Sequence, residues 1–281
     1  MSSRQSIKTT VKTRSERLTK MKNTAKKVSQ TARVRVITTM RKKPSVSSIE
    51  NMIRTRGRVK KQTSDMIIME LSRELVKKLK DIYDLSEREG GEYVGAIKFT
   101  ITDNLVKYNS PTKHTNRDPL RVVAPPGTID NFIVYHSHPI PARVGMIKSL
   151  VSVPSLDDFV AFIQSYPKMQ ANIILERHGF YVIDILESTL TNKPNPQQAY
   201  SMFRHLLDSK NIERFAVRYS PIPDQGLYGV SIASWKKLLN TYVNTVMRHR
   251  FNMTIRYYNY SELPEITLLN PGAVTASMNL S

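Results

Sequence analysis

The sequence predicts an α/β domain, a mixed β-sheet flanked by helices, preceded by a disordered basic N-terminal arm. Three observations carry this. Apolar residues recur at helical spacing in some segments and alternate at strand spacing in others, without the regular strand–helix succession that builds an all-parallel sheet. Charge is unevenly placed: residues 1–63 hold 19 Lys/Arg against Glu16 and Glu50, a net +17, whereas the following 218 residues hold 24 basic and 21 acidic side chains. No Phe, Trp or Tyr precedes Tyr83, so the arm lacks the apolar surface that offsets ordering entropy.

The expected organisation is therefore an arm over 1–63, a folded domain over 64–260 and a polar tail over 261–281. The 281 residues suffice for one substantial core. Cysteine is absent, which excludes disulfides, thiolate metal ligands and a cysteine nucleophile. No apolar run approaches the roughly 18 residues needed to span a bilayer, and the N-terminus lacks the apolar core of a secretory signal. The expectation is an intracellular protein, nuclear, cytoplasmic or virion-associated, and not secreted.

Four readings of the arm stand side by side. Lys and Arg neutralise phosphates and release counterions, which points to nucleic acid or an anionic assembly. Anionic lipid suits the charge but not the lack of an insertable apolar face. The Ser, Thr and Arg richness with few acids resembles a transit peptide. A solubilising tail needs no partner at all. The short cluster Val34, Val36 and Ile37 offers a point of docking.

Within the domain, Ser64–Asp84 carries Ile67, Ile68, Leu71, Leu75, Val76, Leu79 and Ile82. Those spacings predict an amphipathic helix with Ser64 as its N-cap. Gly90–Gly91 breaks the chain. Tyr93–Thr102 alternates as a strand, with Leu105–Tyr108 pairing to it. Residues 109–128 read as loop with a short strand at Val122–Val123, and Asn131–Tyr135 as a buried strand. Leu156–Tyr166 reads as a helix. Ala171–Leu175 and Tyr181–Leu186 flank His178–Gly179 as strand, turn and strand. Pro196–Ser209 and Ser231–Arg250 read as helices, and Asn252–Tyr258 as a last strand. There is no internal repeat.

The chemistry concentrates at Val134-Tyr135-His136-Ser137-His138-Pro139. On an extended chain side chains alternate with period two, so His136 and His138 lie on one side and can converge on one ion. A catalytic zinc takes three protein ligands and leaves a position open. Pro154-Ser155-Leu156-Asp157-Asp158 supplies carboxylates at a helix start. The same Ser155-x-x-Asp158 spacing is also an ordinary helix-capping pattern, and the two roles are compatible. His114 and His178 read as surface residues, and His205 and His249 as structural ones.

These segments resemble the JAMM (MPN-plus) zinc metalloproteases. The family pattern is an upstream Glu, then His-Ser/Thr-His-Pro, then Ser-x-x-Asp; here it reads Glu92, His136-Ser137-His138-Pro139 and Ser155-Leu156-Asp157-Asp158. The contexts Tyr-His-Ser-His-Pro and Glu92-Tyr-Val-Gly95 are also similar to family members. The resemblance covers roughly residues 66–190. It implies an MPN-type fold and ligation of Zn2+ by His136, His138 and Asp158. It further implies Glu92 as general base and Ser155 as a hydrogen-bond donor to the oxyanion. Glu87 and Glu89 compete with Glu92 across the glycine pair. One departure stands out: residues 139–154 separate His138 from Ser155, a longer span than the family's, and Met146 occupies the usual serine position. The loop Ile140–Val153, with Arg143 and Lys148, is a candidate substrate-binding insert or lid.

The resemblance implies an isopeptidase or peptidase acting on ubiquitin or ubiquitin-like protein conjugates. The rival expectation is a catalytically weak or inactive MPN scaffold, nucleic-acid-associated, of virion or chromatin type.

Overall fold

The computed structural model describes residues 54–115, 122–141, 148–185, 193–207, 209–213, 221–222 and 226–270. All of them fall in the unit Ile49–Ser281. The arm up to residue 53 and residues 271–281 lie outside the described residues.

Strand β1 (Arg56–Gln62) pairs antiparallel with β2 (Met66–Glu70). Helix α1 (Arg73–Glu89) follows, capped by Ser72, whose Oγ accepts the Leu75 amide at 3.2 Å, and closed by Gly90 at φ 68°. This corrects two expectations. Ser64 is not a helix cap, because Ile67 and Met69 alternate inward on a strand while Leu75, Val76, Leu79, Ile82 and Tyr83 form the buried helix face. Two adjoining apolar patterns read together as one longer helix. The domain also begins before Ser64. β1 lies inside the segment read as arm, because its cations Arg56, Arg58 and Lys60 all stay exposed while the strand backbone pairs on both sides.

The expected strand Tyr93–Thr102 is broken at Lys98 into β3 (Val94–Ile97) and β4 (Phe99–Thr102), which join different sheets. A tight turn at Asp103 and Asn104, both at positive φ, returns β4 into β5 (Leu105–Tyr108). Val122–Val123 forms no strand, and Val123 is 65% exposed.

The remaining elements are β6 (Ile133–Ser137), β7 (Leu150–Ser152), α2 (Leu156–Ser165), β8 (Ala171–Leu175), β9 (Gly179–Ile185), α3 (Pro196–Leu206) and α4 (Ser209–Glu213). After them come β10 (Pro221–Ile222), β11 (Leu227–Gly229), α5 (Ile232–Lys237), a π-helical segment Leu238–Val243, α6 (Asn244–Phe251), β12 (Met253–Asn259) and β13 (Glu265–Leu269). The segment read as tail thus supplies β13, which pairs with β2.

The described strands form three sheets, ordered β13-β2-β1-β5-β4, β12-β9-β8-β6-β3 and β10-β11-β7. In the second sheet β6 and β8 run parallel and the other neighbours antiparallel, the mixed sheet that the sequence predicts. Its two faces bury separate cores. Ile133, Tyr135, Ile173 and Val182 pack with α1 and the first sheet. Val134, Ile174, Tyr181 and Ile183 pack with Phe159, Phe203 and Trp235 of the later helices. The period-two alternation of β6 therefore places His136, like Val134, on the side of α2.

The two edges of this sheet are covered. Asn240, in the π-helical segment, offers its amide to the edge strand β12 like a peptide group: Nδ2 donates to Tyr257 O at 2.8 Å and Oδ1 accepts Tyr257 N at 2.6 Å. On the other edge Thr112–His114 lies along β3, with Val94 and His114 exchanging both backbone bonds. Gly95 permits this approach, since a Cβ there would stand 1.8 Å from Thr112 O.

At the end of β8, Glu176 is fully buried, with Oε1 accepting the His178 amide at 2.9 Å and the Tyr257 hydroxyl, and Oε2 without a partner. Burial pushes its carboxyl up from 4.5 to about 7. Between those values the folded chain binds more protons than the unfolded one, so this group's contribution to stability falls as pH rises and is least favourable above 7. Glu176→Gln is expected to gain on the order of 3 kcal/mol relative to the native chain at pH 8 compared with pH 4. Urea unfolding of both proteins at the two pH values checks this; an unchanged difference contradicts it.

Candidate metal centre

β6 carries His136 near its C-terminal end, and the chain leaves the strand with the His138 amide bonded to Leu175 O at 2.8 Å, which fixes the second imidazole on the same side. Asp158 arrives from α2. Ser155 is the N-cap of that helix: its Oγ accepts the Asp158 amide at 3.3 Å and Asp158 Oδ2 accepts the Ser155 amide at 2.6 Å. This reciprocal capping box holds the carboxylate at the sheet surface.

The three side chains converge. His136 Nε2 lies 3.1 Å from His138 Nε2 and 2.8 Å from Asp158 Oδ1, and His138 Nε2 lies 3.5 Å from Asp158 Oδ2. Zinc bonds of 2.0–2.2 Å in tetrahedral geometry place ligand atoms about 3.3–3.6 Å apart; the two imidazoles meet different oxygens of the one carboxylate, and one ligand atom from each residue lies within 4.8 Å of the other two. The Val153 backbone lies beside the His138 ring and favours its protonated form, while Nε2 of that ring faces His136 Nε2. Asn172 on β8 acts on the His136 ring, and its buried Oδ1 makes no hydrogen bond. The donor set, its separations and its orienting partners all fit a divalent ion. The His136, His138 and Asp158 side chains are 11%, 14% and 10% exposed, so each is largely but not wholly covered.

The electrostatics suit ligation. Burial pushes the His138 imidazole down to about 4, so it is neutral at neutral pH. Burial works against ionising Asp158, but the two imidazoles and the Ser155 amide outweigh it and hold the carboxyl well below its usual range. Burial likewise lowers His136, yet the Asp158 charge and hydrogen bond, with the Glu92 charge, raise it overall.

Glu92 sits in the link between α1 and β3, where Oε2 accepts the Val122 amide at 3.1 Å. Its competitors are engaged elsewhere. Glu87 accepts from Arg177 Nε at 2.9 Å and from Tyr83 at 3.2 Å, and Glu89 accepts from the Tyr93 hydroxyl. Of the three carboxylates, Glu92 is the one whose charge acts on His136. Ser155 uses a lone pair of its hydroxyl for the cap, which leaves its O–H hydrogen uncommitted by that bond.

The long His138–Ser155 span contributes structure. Part of it forms β7, which pairs with β11; Ser152 Oγ donates to His138 O at 3.3 Å, and Val153 N donates to Gly226 O at 3.0 Å. The insert thereby ties the His138 backbone to a segment more than seventy residues downstream. Residues 142–147, including Arg143, lie outside the described residues; Lys148 is exposed. The other histidines stand apart from the triad. His114 is exposed, as expected. His178 is half-buried rather than superficial, and His205 and His249 are exposed rather than structural.

The supporting residues Asn172, Ser152 and Val153 were not singled out by the sequence, because each acts through a contact distant along the chain. Among the described residues no helix is long and apolar enough to cross a membrane. Compared with known proteins, the chain matches no family model, no curated protein and no solved structure. The fold and the site together define a mixed α/β protein with a buried His-His-Asp group that could hold a metal ion.

Proposed function

We propose that the chain is a zinc-dependent isopeptidase or peptidase of the JAMM/MPN-plus type, which removes ubiquitin or a ubiquitin-like modifier from lysine. The observation that carries this reading is the convergence of His136, His138 and Asp158, with the Glu92 charge acting on the His136 imidazole. Bound there, zinc supplies a lowered pKa for its water, near 7, and polarises the substrate carbonyl. His136, His138 and Asp158 hold the ion. Glu92 takes the proton of the attacking water and passes it to the leaving lysine amine. Ser155 donates a hydrogen bond to the oxygen that gains charge as the tetrahedral centre forms.

The basic segment tethers the domain to nucleic acid or another anionic assembly. Residues 1–53 hold 14 Lys/Arg against two acids, and the exposed Arg54, Arg56, Arg58, Lys60 and Lys61 continue that charge onto β1. Such binding weakens steeply with added salt, because each phosphate contact releases counterions. This charge, with the lengthened His138–Ser155 span, also favours the second reading, an inactive scaffold within a virion or chromatin assembly.

The test is hydrolysis of isopeptide-linked ubiquitin and ubiquitin-like conjugates by the purified chain, with a chelator and with zinc restored. Cleavage that stops with chelator and returns with zinc supports the enzyme. Stoichiometric zinc without cleavage of any such conjugate supports the scaffold.

A further inference from the structure

We propose that Ser86, on α1, is a positioning residue for Glu92 and acts through Ser137; this rests on the reading of Glu92 as the general base. Both serines are fully buried. Ser86 Oγ donates to Gly91 O at 2.6 Å and lies 2.7 Å from Ser137 Oγ, which accepts the Tyr93 amide at 2.8 Å. A hydroxyl has one hydrogen to donate. Ser86 spends its hydrogen on Gly91 O, so Ser137 must donate to Ser86. The direction of the chain is thereby fixed: Tyr93 N–H to Ser137 O–H to Ser86 O–H to Gly91 O.

That chain closes on the two peptide groups that flank Glu92. The Gly91 carbonyl precedes it and the Tyr93 amide follows it, and each ends on a buried hydroxyl. Two further backbone bonds complete the frame, Gly91 N to Ser86 O at 3.2 Å and Ser137 N to Tyr93 O at 2.9 Å. Ser137 itself stands between His136 and His138 on β6. The relay therefore couples the backbone that bears the carboxylate directly to Ser137, the residue between the two imidazole-bearing positions at the end of β6. Glu92 lies in an irregular link beyond a left-handed Gly90 and two residues before the β3–β6 pairing that opens at Val94 and His136, so the relay adds a second tie, through Gly91, on its N-terminal side.

Ser86 interrupts the buried face of an otherwise apolar helix stripe, three and four residues beyond Tyr83 and Ile82. A purely structural position there is served equally by Ala, a better helix former. A serine that is used in this way accepts from one partner and donates to another, as observed.

The experiment uses the full chain carrying Ser86→Ala, alone and combined with Glu92→Gln. The expected result is unchanged zinc content, KM within about twofold, and a kcat on isopeptide-linked ubiquitin lowered about ten- to a hundredfold, the scale of a small misplacement of a reacting group. In the Glu92→Gln background the same substitution is expected to cost nothing further; an equal loss in both backgrounds overturns the positioning role. Hydrogen exchange of the Tyr93 amide is expected to quicken at least tenfold in Ser86→Ala, and an unchanged rate overturns the relay. If the native chain cleaves no conjugate, the hydrolase reading fails, and the exchange rate alone still upholds or overturns the relay. Should Ser86→Ala fail to fold, the native protein decides. The Ser86 and Ser137 hydroxyl protons are expected as resolved, slowly exchanging resonances, and rapid exchange of both contradicts the relay.

Discussion

Glu92→Gln is expected to lower kcat on isopeptide-linked ubiquitin by about two to four orders of magnitude, the usual contribution of a positioned general base. Zinc content and thermal stability should remain those of the native chain. The substitution keeps an Oε acceptor for the Val122 amide and removes the charge and the capacity to take a proton. A steady-state assay beside a zinc determination checks both halves. Full activity in Glu92→Gln places the base elsewhere. Glu87 and Glu89 are poor substitutes, because the first is held by Arg177 and Tyr83 and the second by Tyr93.

The second large effect concerns where the domain begins. A chain starting at Ser64 is expected not to fold. It lacks β1, the middle strand of the sheet β13-β2-β1-β5-β4, and so both of that strand's pairings. Loss of β1 also removes Val59, which packs against the core that holds Ile67, Met69 and Val106. The strands β2 and β5 lose the backbone partners that β1 supplied, and each polar group left buried without one costs about 1–3 kcal/mol, so the loss approaches a typical domain's whole stability of roughly 5–15 kcal/mol. A chain starting at Arg54 is expected to melt cooperatively like the full protein, to keep its metal and to lose most salt-sensitive affinity for nucleic acid. Circular dichroism melts of the two truncations decide the matter. A cooperative melt from the Ser64 chain would show that β1 is dispensable.

The difference between these two boundaries shows what could be read from the sequence. The triad was legible because its logic is local: two imidazoles two residues apart on a strand, and an acid at the third position of a capped helix. Each needs only the periodicity of its own element. The helices Leu156–Ser165 and Pro196–Leu206 and the strands Ala171–Leu175 and Met253–Asn259 were legible for the same reason.

What could not be read depends on partners far along the chain. β1 looked like more of the arm because its exposed positions are cationic and its inward ones are only Gly57 and Val59. Ile67 and Ile68 satisfied a helical spacing that began in earnest only after Ser72. Lys98 divides a continuous alternation between two sheets, which no periodicity announces. The insert between His138 and Ser155 looked like loop, because the strand β7 exists only through its pairing with β11. Ser86 did leave a trace, a polar residue on a buried helical face, but its partners at Gly91 and Ser137 are visible only once the sheet and helix are assembled.

The central claim is that His136, His138 and Asp158 form a zinc centre, and metal analysis of the purified full-length chain tests it most directly. Zinc per chain would be measured by plasma mass spectrometry after saturation and exhaustive dialysis, for the native protein and for Asp158→Asn. The expected result is one zinc per native chain and a large loss in Asp158→Asn, because the charged ligand is gone while the helix cap keeps an oxygen acceptor. A native chain that retains no zinc, or an Asp158→Asn chain that retains it undiminished, would contradict the account.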